Sequence, residues 1–586
     1  MNSGGNDNSW STAGRGAPTA AVSAEGFVAS TTRGGLRSAV IGRGSYQPFD
    51  IDSGVSIQDA NPAAESCQEV ELLSDIEGTV VGDKSRRVQG AELKYEYRFG
   101  SAASDPSDVD NDDKWMRNVW GLPNLAVMMS YFSVGFAIRF LLTPLSYYMV
   151  EVLGVNAAQL NVVMTLAGLP WSFKLVYGFI SDNFPIGGMR RKPYFIAGWT
   201  VYVLMNFITA TQEKPSLQLL ACYSLVSTMG FMMSDVATDA ILVERSKHEP
   251  RETRGSMQAT GYTVRFLGSL LGSSLGMVLN TDTTCALSAI SIRTLFVLNG
   301  MFPLVFIGPF VWHLRETEFS RAGNIPVVQH LLTQCGEIFG ALEQKAVFIP
   351  MAFIFVYNVF QVPNAAWKSF LLEGLEFSSC QIGVLAVVAS LMASVGLWVY
   401  KTYFFNSSWR KLYVWTTLVV AFFSAFQLLL IQRVNKWFGI SDLTFSIGDD
   451  SIADLVSSIQ FLPIIRMYIS MCPDGVEGTT YAILTTMSNV SASAAYNVGT
   501  HMTKIWDVSN EALRDGNFTG MWKLTLLTSL LQPLPLVLIR MLPANIAEQR
   551  TLQAGGIRYM WGGILLLVIL FASLGWTIIV AVYELG

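Results

Sequence analysis

The chain has 586 residues, of which 51% are hydrophobic and only 14% are charged, and its formal net charge is −5. Soluble globular proteins usually carry nearly twice that share of charged residues and do not collect apolar residues into blocks of about 20. The composition therefore excludes an ordinary soluble protein. The small and unclustered basic content excludes a nucleic-acid-binding chain.

The first 115 residues are polar, rich in glycine, serine, alanine and threonine, and close with an acidic run at 105–113. Such a segment cannot bury enough apolar surface to offset the entropy of ordering it. We predict a disordered cytoplasmic tail at residues 1–115. Because its basic residues before position 47 are all arginines, an organelle transit peptide is the alternative.

Twelve apolar blocks then follow, and helices of such blocks can cross the hydrocarbon core. They occupy residues 124–150, 157–180, 194–211, 217–243, 257–279, 295–312, 346–367, 381–400, 412–431, 452–471, 475–500 and 522–542. The pattern predicts an all-α polytopic membrane protein with a six-helix bundle at 116–315, a cytoplasmic loop at 316–345 and a second six-helix bundle at 346–545. The remaining segment, 546–586, contains one more apolar block, which predicts a thirteenth span or an interfacial helix.

The loops set the orientation, because lysine and arginine favour the cytoplasmic side. Basic residues are enriched in the loops that face the cytoplasm if the amino terminus lies there. Six spans on either side of a cytoplasmic loop is the organisation of major-facilitator carriers, whose halves rock around a site at the midplane. A channel or a receptor would also fit the number of spans.

The end of the second block and the loop after it carry Gly178, Asp182, Arg190 and Arg191, and this spacing resembles the loop signature of major facilitators. A glycine at the first position lets two helices approach closely, and the aspartate can pair with a basic residue or cap a neighbouring helix. We interpret these four residues as a cytoplasmic gate. The alternative, a basic loop that only sets topology, accounts for the arginines but not for the spaced glycine and aspartate.

Six ionisable residues lie inside the apolar blocks: Arg139, Lys174, Asp235, Asp239, Arg265 and Arg466. An isolated charge in hydrocarbon costs a few kcal/mol, so such residues face a cavity or a partner. Asp235 and Asp239 are four residues apart and share one helix face. Two carboxylates on one face can hold a proton, a cation or a hydrogen-bond-donating solute. The alternative is that they form structural ion pairs with Arg265 or Lys174.

Other motifs predict packing rather than chemistry. Gly268, Gly272 and Gly276 form a GxxxGxxxG ridge, which permits close helix contact. The chain has no phosphate-binding Gly-x-x-x-x-Gly-Lys-Ser/Thr loop, and its histidines lack metal-ligand spacing. We therefore expect no enzymatic activity, no cofactor and no metal.

Three stretches together resemble the folate–biopterin transporter family, a branch of the major facilitators. They are Pro-Trp-Ser-Phe-Lys-Leu-Val-Tyr-Gly at 170–178, Ser-Asp-Val-Ala-Thr-Asp-Ala-Ile-Leu-Val-Glu-Arg at 234–245 and Met-Cys-Pro-Asp-Gly-Val-Glu-Gly-Thr-Thr-Tyr-Ala at 471–482. The resemblance extends from about residue 118 to about residue 543. The chain departs from the family at Leu169, where glutamine is usual, and at Leu175, where proline is common.

The resemblance implies a carrier for folates or pterins that works by alternating access, with protons as a candidate coupling ion. Asp235 and Asp239 would bind the amino-pyrimidinone edge of a pterin or carry the proton. Lys174, Arg139 and Arg265 would hold an anionic tail, and Arg466 would be a further substrate or coupling residue. Some members carry S-adenosylmethionine instead, and two carboxylates would suit that sulfonium too. A nutrient sensor that binds without translocating is the alternative from another class.

The partners that follow from this interpretation are a small-molecule substrate and the lipid bilayer, without nucleic acid. We expect a monomer in the plasma membrane, with an organelle membrane as the alternative.

Overall fold

A computed structural model describes residues 114–155, 163, 166–250, 253, 255–279, 290–316, 327–472 and 476–585. These residues form helices and connecting turns without a strand, apart from two isolated bridges, Ile186 with Met189 and Gln344 with Arg558. The predicted amino-terminal tail lies outside the described residues as far as position 113.

We number the α-helices of the described residues α1 to α20 in chain order. They are Lys114–Arg117, Leu122–Phe140, Leu142–Tyr147, Lys174–Asn183, Lys192–Ala210, Leu217–Ser246, Ser256–Val278, Ile292–Phe306, Gly308–Val311, Val327–Leu342, Lys345–Phe360, Trp367–Ser369, Ser379–Val399, Trp409–Ile431, Asp442–Met471, Glu477–Met502, Asn510–Arg514, Thr519–Leu531, Ile546–Ala554 and Met560–Leu585. Short 3₁₀ segments cover Leu169–Phe173, Val434–Phe438 and Leu534–Met541, and π-helical turns cover Tyr148–Val152, Phe370–Gly374 and Tyr400–Phe404.

Within the described residues, eight helical segments are long and apolar enough to cross a membrane. They are Leu122–Tyr147, Lys192–Ala210, Leu217–Ser246, Ile292–Val311, Cys380–Phe404, Trp409–Ile431, Asp442–Met471 and Thr519–Met541. The helices α4, α7, α11 and α16 complete the two sets of six, but they are shorter or more polar. α7 and α16 are rich in glycine, serine and threonine because much of their surface contacts protein, so lipid does not require apolar residues there.

The two sets of six helices are two bundles that meet along two seams. In the first half α2 packs against α7 and α5 against α6, whereas in the second half α15 packs against α13 and α14. Between the halves, α4 contacts α16 and α7 contacts α13. The all-α, major-facilitator-type prediction is confirmed.

The glycine ridge of α7 brings its backbone against α2. A Cβ atom added at Gly268 would lie 2.0 Å from the carbonyl oxygen of Phe132, and one at Gly276 would lie 2.3 Å from that of Phe140. On the other side, a Cβ at Gly135 of α2 would meet the carbonyl oxygen of Arg265 at 1.8 Å. The ridge therefore packs helices, as predicted, and it sets the position of Arg265.

The central loop has more structure than the sequence predicted, whereas the last apolar block forms a helix as expected. Part of the predicted central loop is the helix α10, which buries Ile338 and Leu342, four residues apart, against the bundle. The last apolar block is the helix α20, whose Leu566 and Leu570 are buried and which packs along α16. The backbone N–H of Tyr559 donates to the carbonyl of Glu343 at 2.7 Å and ties the start of α20 to the end of α10.

Candidate functional site

Four of the six predicted ionisable residues meet in the interior of the first half. The Lys174 ammonium lies 2.7 Å from Oδ2 of Asp235 and 3.4 Å from Oδ2 of Asp239. The Arg265 guanidinium lies 3.0 Å from Oδ1 of Asp235. We name Lys174, Asp235, Asp239 and Arg265 the charged cluster. All four side chains are buried, and their charges sum to zero, which is how a low-dielectric site tolerates them.

Aromatic rings flank the charged cluster. The Lys174 ammonium lies 5.3 Å from the ring centre of Trp171, and the Arg265 guanidinium lies 5.4 Å from the same ring and 5.8 Å from that of Tyr262. These are cation–π distances. The carboxylates are thus accompanied by flat apolar surfaces that suit an aromatic heterocycle.

A chain of uncharged polar groups links Asp239 to the second half. The Tyr131 hydroxyl donates to Oδ1 of Asp239, and the Gln258 amide donates to the same oxygen at 3.2 Å. The Gln258 amide also donates to the hydroxyl of Tyr481 on α16 at 3.3 Å, and the hydroxyls of Tyr262 and Tyr481 are 3.3 Å apart. We name Tyr131, Gln258, Tyr262 and Tyr481 the bridging chain.

Sequence reasoning missed the bridging chain because uncharged residues carry no insertion penalty that would single them out. The signal that could have revealed it is the spacing of its residues along the sequence. Gln258, Tyr262 and Arg265 recur at intervals of four and three, which places them on one helix face. Tyr481 lies in the third stretch that resembles the folate–biopterin transporters.

The structure does not bring Arg139 and Arg466 into the charged cluster. Arg139 lies eight residues beyond Tyr131 on α2, about 12 Å along the helix axis. It is half-buried and close enough to Asp454 of α15 to interact electrostatically. Arg466 donates to the carbonyl of Phe405, stacks 3.6 Å from that ring centre, and abuts Gly255. The position of an arginine within an apolar block indicates that its charge is buried. It does not indicate which neighbouring helix the side chain contacts.

The residues predicted as a gate gather at one end of the bundle. Asp182 forms an ion pair with Arg191, and its Oδ2 accepts the backbone N–H of Thr479 at 2.6 Å. Asp182 thereby places a carboxylate at the start of α16, where the helix dipole favours it. The Arg191 guanidinium is buried and also donates to Ser181 at 2.7 Å and Glu244 at 3.1 Å. Burial tends to lower the pKa of Arg191, but the charges of Asp182, Glu244 and Glu477 outweigh it and raise that pKa.

Close backbone contact accompanies these ion pairs. A Cβ atom at Gly178 would lie 2.8 Å from Cβ of Ala482, and one at Gly478 would lie 2.8 Å from the Arg191 guanidinium. Beside them, the Lys247 ammonium lies 2.7 Å from Glu477. The first half therefore contacts the first turns of α16 at this end, which we name the Arg191 end.

The second seam is joined at the same end. The Lys401 ammonium, in the turn after α13, donates to the Thr260 hydroxyl of α7 at 2.6 Å. Arg466 of the second half, which donates to the carbonyl of Phe405, abuts Gly255 of the first half. Both seams are thus closed at the Arg191 end.

The sequence also missed acidic residues in the tenth block. Helix α15 begins at Asp442, ten residues before the predicted span, because Ser441 caps it by accepting from the Thr444 N–H. Asp449 therefore lies within a membrane-length helix and not in a loop, and Asp454, which the predicted block already contained, lies in the same helix.

A sequence model of the BT1 family matches residues 134–555. The chain is 25% identical to a folate-biopterin transporter of Synechocystis, over 72% of this chain and 82% of the relative. It is 25% identical to the probable folate-biopterin transporter 4 of Arabidopsis thaliana, over 70% and 94%. It is also 22% identical to folate transporter 1 of Plasmodium falciparum, over 68% and 75%. Among solved structures, a D-xylose-proton symporter superposes with a TM-score of 0.52 at 10% identity, over 72% of this chain and 97% of that one.

Proposed function

The chain belongs to the BT1 family, and we propose that it moves folates or pterins across a membrane by alternating access. It is a multi-pass membrane transporter and not an enzyme. The proposed substrate class is supported by relatives that are named folate-biopterin and folate transporters.

The charged cluster is the observation that carries the proposal. The amino-pyrimidinone edge of a pterin offers two adjacent N–H donors, which match the two oxygens of a carboxylate. In the structure, Lys174 donates to Oδ2 of Asp235 and Arg265 donates to Oδ1. A pterin that donates both hydrogen bonds to this carboxylate displaces Lys174 or Arg265 from it. The displaced side chain can then bind an anionic group of the same solute. An anionic group adds one negative charge to the neutral cluster, so the site stays neutral only if a proton binds as well; an unpaired charge there would cost several kcal/mol.

Trp171 and Tyr262 support the same assignment. Each ring lies within 6 Å of a cluster cation. An aromatic heterocycle that displaces the cation gains a stacking surface in exchange. Neither ring would contribute in this way to an aliphatic substrate.

Alternating access requires that contacts between the halves break at one end and form at the other. The Asp182–Thr479 and Lys247–Glu477 contacts cross the first seam, and Lys401–Thr260 crosses the second. These are polar contacts, which water replaces at small cost once the end opens. We propose the Arg191 end as the cytoplasmic gate and Asp239 as the proton-carrying group.

Ligand stabilisation of the purified protein tests the substrate class. A ligand that binds only the folded state at 100 times its Kd stabilises it by about 2.7 kcal/mol. We expect folate and biopterin each to raise the unfolding temperature in detergent, and Lys174→Ala to abolish the shift. A shift with S-adenosylmethionine alone would replace the folate proposal by the cationic alternative.

Arg139 is expected to contribute to folate transport but not to biopterin transport. It lies about 12 Å from the level of Tyr131 along α2, on the side away from the Arg191 end, where the glutamate tail of a bound folate would reach. A charge-assisted hydrogen bond contributes about 1.5–3 kcal/mol. Arg139→Gln should therefore raise the KM for folate about tenfold or more and leave that for biopterin nearly unchanged.

The control is Arg433→Gln, which removes an arginine that pairs with Asp442 at the start of α15. Equal losses for folate and biopterin in Arg139→Gln would assign Arg139 a structural role beside Asp454.

A further inference from the structure

Two nearby residues of helix α16 contact the proposed gate and the bridging chain, respectively. The backbone N–H of Thr479 donates to the carboxylate of Asp182 at the Arg191 end, and the Tyr481 hydroxyl accepts from the amide of Gln258. Thr479 and Tyr481 are two positions apart, which is about 3 Å along the helix axis, so they move together when the helix moves. The start of α16 is therefore one rigid piece that touches both the gate and the bridging chain.

The nitrogen of the Gln258 amide lies within hydrogen-bonding distance of three acceptors but carries only two hydrogens. Its nitrogen lies 2.9 Å from the Tyr131 hydroxyl, 3.2 Å from Oδ1 of Asp239 and 3.3 Å from the Tyr481 hydroxyl. A primary amide has two hydrogens, so it can satisfy two of these three acceptors at a time. All these groups are buried, so bulk solvent does not compete for them.

The occupancy of Asp239 therefore decides where the amide donates. When no solute donor reaches Oδ1 of Asp239, this oxygen competes with Tyr481 for the second hydrogen of Gln258. When a solute N–H or a proton occupies that oxygen, both hydrogens are available to the tyrosines. The contact between Gln258 and Tyr481, which joins the two halves, is stronger in the occupied state.

We infer that Gln258 and Tyr481 are positioning residues that transmit the occupancy of Asp239 to the gate. Binding of a solute frees Gln258 to hold Tyr481, which keeps the start of α16 against Asp182 and closes the Arg191 end around the solute. This inference rests on the proposed function, because it takes Asp239 as part of the solute site. It assigns a coupling role to two residues that carry no charge.

The test measures opening of the Arg191 end with and without solute. Spin labels are attached at Ile186→Cys in the first half and Tyr403→Cys in the second, two exposed positions at that end, after replacement of the six native cysteines. Double electron–electron resonance then measures the distribution of distances between the two labels, which gives the ratio of closed to open molecules. Binding of radiolabelled folate and biopterin is measured on the same preparations.

Tyr481→Phe removes one hydroxyl and keeps the ring. In the parent protein, saturating biopterin should raise the closed-to-open ratio by roughly 2- to 12-fold, the range of one net hydrogen bond. Tyr481→Phe should bind biopterin but show no such increase. Gln258→Leu, which removes the amide, should also lose the response. Tyr468→Phe is the matched control, since its hydroxyl is also buried but bonds to Ser488 within the second half.

The outcomes separate this inference from the proposed function. A Tyr481→Phe protein that closes on biopterin as the parent does, or a parent that opens on biopterin, would overturn the coupling role alone. A parent that binds neither folate nor biopterin would overturn the proposed function and the inference with it.

Discussion

Asp235→Asn is expected to reduce uptake of folate and biopterin to background while the protein still reaches the membrane. The two oxygens of Asp235 face Arg265 and Lys174, and with an amide in its place Asp239 alone would balance these two cations, which leaves one buried positive charge uncompensated. Breaking a buried ion pair from one side costs about 3–5 kcal/mol. The measurement is the initial rate of uptake at matched surface amounts of protein.

Two further variants separate transport from folding. In Asp235→Asn with Lys174→Met the site is neutral again, so the amount of folded protein should recover while uptake remains absent. Asp442→Asn is the matched control, because Asp442 also faces two cations, Arg433 and Lys436, but lies in the first turn of α15, away from the charged cluster. Unchanged uptake in Asp235→Asn would remove the charged cluster from the transport site.

Arg191→Met is expected to cause the largest loss of stability among single substitutions at the Arg191 end. The change leaves Asp182 buried with Thr479 as its remaining partner and removes a cation from Glu244. A buried carboxylate without its cation costs about 3–5 kcal/mol, a large part of the stability of a typical protein. The measurement is the temperature at which half of the detergent-solubilised protein is lost from the monodisperse peak.

Arg191→Lys should fall between the parent and Arg191→Met, because lysine keeps the charge but lacks the planar fork that reaches Asp182, Ser181 and Glu244 together. Arg315→Met, an exposed arginine at the same end, should change stability by less than about 0.5 kcal/mol. If Arg191→Met were as stable as Arg315→Met, the ion-pair network would not hold this end closed.

The fold followed from the sequence because length and apolarity are enough to predict membrane helices. The apolar blocks at 257–279 and 475–500 located even the more polar helices α7 and α16. What apolarity did not single out were the uncharged polar residues on these helices, Gln258 and Tyr481. Helix α15 begins ten residues before the predicted block, and the bundle interior accommodates Asp449 in that first part of the helix.

The charged cluster could be predicted only within single helices. The four-residue spacing of Asp235 and Asp239 placed them on one face, and the cost of isolated charge required cationic partners. Which cations serve depends on how helices cross, and that excluded Arg466. The partner of Asp182 shows the limit most clearly, because Thr479 lies 297 residues away and is uncharged. Periodicity along a chain holds no information about such a contact.

Uptake by proteoliposomes tests the central claim, that this chain carries folates or pterins through the charged cluster. Labelled folate is offered at two external pH values, with excess biopterin, methotrexate or S-adenosylmethionine as competitors. The account predicts saturable folate uptake that biopterin and methotrexate block, that is faster at the acidic pH, and that Asp235→Asn abolishes. Absence of folate uptake together with accumulation of S-adenosylmethionine would contradict the substrate assignment, and folate uptake that Asp235→Asn leaves intact would contradict the site.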